Sequence, residues 1–223
     1  EISEEYDQWS ALERLNRERE LISVYISGHP LDDYSIILTD VCSNHAPDLA
    51  DISPYKDKDI TVGGIVTSVR TGQTKTGKPY GIVKLEDYDG AGEIALFGDD
   101  WARHSGYFTI GNSLFITAHV EERHWKPGNY DLRITKIEFL SDVKENKIQR
   151  ITFTLNLDEL DDIAAQDLST HLQKAGKTEL YFNVREPKRS FNVTLRSQTP
   201  GIAVTKELVD FVKETPGISY KLN

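Results

Sequence analysis

Two short stretches of this chain hold the residue types that grip a polyanion. The nine residues RTGQTKTGK contain Arg70, Lys75 and Lys78 and no acid. Their glycines let the backbone approach a charged ligand closely, and their threonines and Gln73 can hydrogen-bond phosphate oxygens. Strict alternation follows in YGIVKLED. It puts Tyr80, Ile82 and Lys84 on one face and Val83 and Leu85 on the other. An aromatic ring beside an amine suits stacking on an unpaired base with a phosphate contact next to it, and each stacked base contributes about 1–3 kcal/mol. Phe97 ends the run GEIALF that comes next. The second stretch, RHWKPGNYDLR, offers Arg123, His124, Trp125, Lys126, Tyr130 and Arg133. Few of these side chains suit reading a base edge, so little sequence preference is expected.

Catalysis has no comparable signature. The chain lacks GxSxG, HExxH, CxxC and P-loop patterns. Cys42 and His45 are close in sequence, but two ligands do not make a metal site. Glu86, Asp87 and Asp89, and likewise Asp99 and Asp100, could be metal carboxylates; at strand ends such residues more often form turns. The expectation is a binding chain with no catalytic residue, no metal and no cofactor of its own.

These residues need a scaffold, and the hydrophobic period indicates which. Residues 1–59 read as a helical lead-in and linker. Trp9, Leu12, Leu15, Ile22 and Ile26 fall near helical spacing, Gly28 and Pro30 stop the run, and a short helix is expected around Ser35–Cys42. From Ile60 the period becomes two. ITVGGIVTSVR, YGIVKLED, GEIALF, SLFITAHVEER and YDLRITKIEFL read as five strands, with Gly63–Gly64 marking a bulge or bend in the first. A longer insert, GDDWARHSGYF, separates the third from the fourth. Five strands with the insert in that place predict an OB-fold barrel over residues 60–142, with an SH3-like barrel as the alternative. Its first loop and its last turn would flank one groove.

Residues 147–223 carry the order βαββαβ, which predicts a small ferredoxin-like domain of the split kind. There DELDDIAAQDLSTHLQKAG is the first helix with Gly176 as its stop, and Thr205 is the N-cap of the second. The chain is thus expected to be an α+β multidomain protein.

Charge limits how such a chain binds. The net charge of the 223 residues is −10. Residues 1–59 carry 5 basic and 14 acidic residues, residues 60–142 carry 9 and 11, and residues 143–223 carry 12 and 11. That balance argues against strong non-specific duplex binding and for modest, salt-sensitive affinity. The first residues are acidic with no apolar stretch behind them, and no apolar run reaches the roughly 18 residues of a membrane helix. With a single cysteine, a cytoplasmic protein without a membrane partner is expected. A chain that opens on Glu1 in place of methionine is expected to be a fragment or a processed product.

The segment ERELISVYISGHPLDDY resembles one that introduces the OB domain in the alpha subunit of bacterial DNA polymerase III. Glu18, Glu20, Leu21, Tyr25, Ser27, Gly28, His29, Pro30 and Leu31 match the family's pattern, and Ile22 and Ser23 depart from it. TKTGKPYGIVKLEDYDG and IALFGDDW also look like that family. The resemblance implies a C-terminal part of a DNA-directed DNA polymerase, a nucleotidyltransferase, whose magnesium-binding catalytic aspartates lie upstream of this chain. It implies that the OB domain contacts single-stranded template DNA and that the tail docks the tau subunit of the clamp loader among other replisome subunits. For the tail, the outward residues Arg185, Lys188 and Arg189 and the helix Thr205–Glu214 are candidates for partner contact. A different reading keeps the barrel as a spacer in a protein-interaction module, which the acidic lead-in and low charge favour.

Overall fold

Alternation with one buried face is what makes a half-buried strand, and five strands form the first sheet, two of them (the first and fourth) buried on both faces over part of their length. The computed structural model describes residues 29–123, 126–172 and 175–222. The helix expected before Gly28 lies outside them. Strands β1 (Asp59–Gln73), β2 (Pro79–Glu86), β3 (Ala91–Phe97), β4 (Ser113–Glu122) and β5 (Tyr130–Phe139) lie in the order β3-β2-β1-β4-β5, all pairs antiparallel. That is the OB arrangement, with β1 long enough to serve both halves. Its first half pairs with β4 and its second with β2. The changeover falls at Ile65, paired with both Ser113 and Glu86 and directly after the glycine pair, and a register shift follows at Val66/Ser68. The glycines do another job. A Cβ on Gly64 would stand 2.7 Å from the Glu86 carbonyl oxygen, and one on Gly63 would stand 2.4 Å from Leu38. Val66, Val83, Leu85, Ile94, Leu114, Ile116 and Val120 fill the barrel. Helix α1 (Ser35–Asp40) precedes the barrel. Helix α2 (Asp99–His104), in the insert, lays Trp101 over Gly81, where a Cβ would meet the ring at 2.2 Å.

Helix α3 (Leu140–Lys147), which the strand pattern did not predict, leads into the second sheet. Here β6 (Arg150–Asn156), helix α4 (Asp162–His171), β7 (Ala175–Glu186), β8 (Phe191–Arg196), helix α5 (Lys206–Glu214) and β9 (Ile218–Leu222) follow in the expected order of types. The ferredoxin-like expectation fails on strand order. The sheet runs β8-β7-β6-β9, and β6 pairs directly and in parallel with β7. A split arrangement needs another strand between those two, and this crossover returns to the adjacent place. Gly176 is likewise no helix stop. It lies within β7, and its missing side chain admits the Ile202 carbonyl, 2.2 Å from where a Cβ would be. Thr205 does cap α5, its hydroxyl accepting from the Leu208 N–H at 3.3 Å.

One apolar cluster joins lead-in, barrel and tail. Leu31, Ile37, Phe115, Leu140, Val143, Phe153, Leu208 and Val212 all belong to it, and Leu31 is fully buried. Above it sits a polar pin. The Asp32 carboxylate accepts from the His29 N–H (2.8 Å), from the Tyr88 hydroxyl on the β2–β3 turn (2.9 Å) and from the Lys206 ammonium on α5 (3.2 Å). The His29 ring packs on Tyr88 with centroids 4.8 Å apart. Burial raises the pKa of Asp32, but these three donors outweigh it and hold the carboxyl below the ordinary value. A depressed carboxyl contributes stability above its unfolded pKa of about 3.9, and that contribution is lost as pH falls through the folded value. The urea midpoint of an Asp32→Asn variant is therefore expected below that of the parent at pH about 6. The gap closes as pH falls through the carboxyl's lowered folded value. A gap unchanged across that range would show that the pin does not titrate.

Candidate nucleic-acid interface

The hairpin of β1 and β2 builds the candidate face. It extends further than the sequence suggested. Thr71, Gly72 and Gln73 belong to β1, paired with Gly81, Tyr80 and Pro79. The expected flexible loop shrinks to the turn Thr74–Lys78, which is internally bonded. The Thr74 N–H donates to the Lys78 carbonyl (2.8 Å), the Gly77 N–H to the Thr74 carbonyl (2.9 Å), and the Lys78 N–H to the Thr74 hydroxyl (3.1 Å).

On β2, Gly81, Val83 and Leu85 point into the core, so Tyr80, Ile82 and Lys84 lie on the outer face. The register sets their neighbours. Gly72, Tyr80 and Phe97 form one row, Arg70, Ile82 and Ala95 the next, and Ser68, Lys84 and Glu93 the third. Gly72 matters because the Tyr80 ring lies against it, where a Cβ would be 2.8 Å from the phenol oxygen. Tyr80 and Phe97 form a tilted pair with centroids 5.9 Å apart, and Phe97 is 51% exposed. Lys78 reaches toward the same end, its side chain 3.7 Å from where a Cβ on Gly98 would stand.

Cations outnumber acids here. Glu93 faces Lys84 across the strands, yet it binds Arg70 at 2.6 Å. Lys84 and Lys78 form no ion pair among the described residues. Glu86 shares this outer face two residues along β2 from Lys84, so three cations stand against two carboxylates, a slight positive excess beside the half-buried Tyr80 and the exposed Phe97. Lys75 sits exposed on the turn.

The second stretch is placed differently. Arg133 lies opposite His119, which lies opposite Asp59 at the far end of β1 from Arg70. Its guanidinium is 3.9 Å from Glu121. Arg123 binds Asp131, and Tyr130 packs against the barrel core. Lys126 is exposed in the turn; His124 and Trp125 lie outside the described residues. The strand register gathers Arg70, Tyr80, Lys84 and Phe97 in neighbouring rows with Lys78 at their turn end, while Arg123, Lys126, Tyr130 and Arg133 belong to the separate β4–β5 hairpin.

The turn between β2 and β3 brings His45, Asp87 and Asp89 within 4.8 Å of one another, and the backbone already engages Asp87. Asp87 is buried. One of its oxygens accepts from the Ala46 N–H (2.6 Å), and the other from the Asp89 and Gly90 N–H groups (2.9 and 3.1 Å). Its lone pairs hold the turn, and His45 rests on Asp89 at 2.8 Å. Cys42 is a poor ligand, since burial pushes its thiol pKa up to about 12.

A five-stranded barrel with a basic, aromatic outer face defines the class first. The family described as "OB-fold nucleic acid binding domain" matches residues 60–140. The particular likeness comes from the rest of the chain. The family described as "DNA polymerase III alpha subunit, C-terminal domain" matches residues 151–223. The chain is 27% identical to the DNA polymerase III subunit alpha of Borreliella burgdorferi over 197 residues, which is 86% of this chain and 17% of that protein. To the Vibrio cholerae subunit it is 24% identical over 216 residues, 93% of this chain and 18% of that one. The chain is therefore similar to the C-terminal region of the DNA polymerase III alpha subunit and spans about a sixth of the length of these two relatives. Among solved structures, the second OB-fold domain of replication protein A from Methanococcus maripaludis overlaps 38% of this chain and 85% of its own, at 12% identity and a TM-score of 0.26. No helix among the described residues is long and apolar enough to cross a membrane.

Proposed function

We propose that this chain is the template-holding and partner-docking region of a bacterial replicative DNA polymerase, and that catalysis belongs to residues of the parent enzyme outside it. The observation that carries the DNA half is the exposed Phe97 ring paired with the half-buried Tyr80, with Lys78 and Lys84 on the same part of the hairpin. Rings of that kind accept unpaired bases and the amines accept the phosphates between them. Three phosphate contacts, from Arg70, Lys78 and Lys84, correspond to a slope of about −2 in log affinity against log salt. The tail half rests on edge strand β8, where Phe191 and Leu195 stay 47% and 50% exposed, and on the family likeness, which makes the tau subunit the partner to test. The earlier candidates on the hairpin contribute less. Lys188 lies 3.7 Å from Asp158 and Arg189 3.2 Å from Glu186, while α5 buries Leu208, Val209 and Val212.

The test is binding of a fluorescent oligothymidine to the whole chain at low salt. Phe97→Ala is expected to weaken it about 5- to 150-fold, the equivalent of one lost stack. Unchanged affinity in both Phe97→Ala and Lys84→Gln would overturn the DNA half. Failure to capture purified tau would overturn the docking half.

A further inference from the structure

The tail sheet has two unlike faces. Helices α4 and α5 cover the one formed by Ile151, Phe153, Leu180 and Phe182, which belong with Leu168, Leu208 and Val212 to the core. The other face carries almost no apolar side chain. Its central row, set by the strand register, is Lys221, Thr152, Tyr181 and Arg196, one residue from each of the four strands. The next row is Ser219, Thr154, Asn183 and Thr194.

We propose that this open face is a second single-stranded nucleic-acid surface, separate from the barrel's, with Tyr181 as its stacking platform. The ring is held in place by cations. The Arg150 guanidinium lies 4.6 Å from its centroid and that of Arg196 lies 5.9 Å away. Glu179 aligns both guanidiniums, at 3.6 Å from Arg150 and 2.8 Å from Arg196, and accepts from the Tyr181 hydroxyl at 3.4 Å. Arg150, Arg185, Arg196 and Lys221 thus stand against the single carboxylate of Glu179, an excess of three positive charges on a chain whose net charge is −10. Charge complementarity alone fits any polyanion. The ring and its neighbours decide between them. An acidic peptide needs cations and has no use for an aromatic plane flanked by guanidiniums. Bases stack on such planes, and the hydroxyls and amides of the second row suit base edges and sugars. Three interstrand gaps of about 4.8 Å make the row roughly 14 Å long, a size matched to the two or three bases that four-stranded sheets hold in this way.

The experiment starts from the whole chain carrying Tyr80→Ala and Phe97→Ala, so that the barrel face is already weakened. Residual binding of a labelled oligothymidine then reports on the tail. We expect Tyr181→Ala to lower it about 5- to 150-fold and Tyr181→Phe to restore it. Arg185→Gln with Lys221→Gln should flatten the salt slope by about 1.4. Photocrosslinking with an iodouracil-substituted oligonucleotide should mark Tyr181 in the otherwise unaltered chain. Circular dichroism confirms that each variant is folded, and the exposed pair Arg185 and Lys221 supplies a readout that leaves the ring in place. No crosslink on the tail, with residual binding indifferent to all these changes, overturns the proposal. Polyglutamate competing as well as the oligonucleotide, in a Tyr181-independent way, overturns it in favour of an acidic protein partner. Loss of binding through Phe97 alone leaves the barrel reading standing and removes only this one.

Discussion

Replacing Leu31 by alanine is expected to lower the stability of the chain by about 2–5 kcal/mol, the range for emptying a large aliphatic site in a packed core. Leu31 is 0% exposed. The single turn that follows it, Asp32–Tyr34, packs against both α3 and α5, so this leucine is a wedge between barrel and tail. A cavity there has walls from three segments and little freedom to collapse, which puts the cost toward the upper end. Urea unfolding of the purified chain measures it. The volume-conserving Leu31→Ile change should cost less than about 1.5 kcal/mol. A loss below about 1 kcal/mol for alanine would mean that the lead-in does not brace the two domains.

Gly92→Ala should cost at least about 1–3 kcal/mol, through crowding in place of a cavity. Gly92 on β3 faces the single-turn helix Ala46–Ala50. An added Cβ would stand 1.9 Å from the Ala46 carbonyl oxygen and 2.8 Å from the Leu49 Cβ. A flexible side-chain tip could swing away; a backbone carbonyl cannot. The turn must back off, and the Ala46 N–H to Asp87 bond at 2.6 Å breaks with it. Hydrogen exchange at the Ala46 amide should therefore speed up together with the fall in urea midpoint. Full stability with a protected amide would show that the strand and the turn do not touch as described. Because β3 continues to Phe97, oligonucleotide affinity should drop as well.

The barrel was legible because most of its strands bury one face. Tyr80, Ile82 and Lys84 alternate with Gly81, Val83 and Leu85, and that period alone places the candidate side chains outward. Thr71 to Gln73 resisted the same reading. They pair beyond the edge of the core, so no buried face betrays them, and a run of threonine, glycine and glutamine looks like a loop. In the tail, apolar alternation in ITFTLN and TELYFNV reveals which side of each strand is inside. It carries no information on which strand lies beside which, and the parallel β6–β7 pairing could not be seen. Gly176 was misread for a related reason. A glycine after a helical run is a common stop, whereas the one needed here admits a carbonyl 26 residues along the chain, from Ile202. The polar positions of those tail strands, Thr152, Thr154, Tyr181 and Asn183, were present in the same alternation. Polar residues alternating on a strand look the same whether they face solvent or a ligand, so the period alone does not mark them as a surface.

Edge strand β8 has one further implication, for handling the protein. One of its flanks is hydrogen-bonded to β7, and the other ends the sheet. Its amides and carbonyls on that border offer a template to any extended segment that meets them. The oily Phe191 and Leu195 increase that adhesiveness, while Arg196 at the strand's end provides some electrostatic repulsion between like copies. Whatever seats on this border in the cell also shields a seam along which concentrated protein would otherwise self-associate.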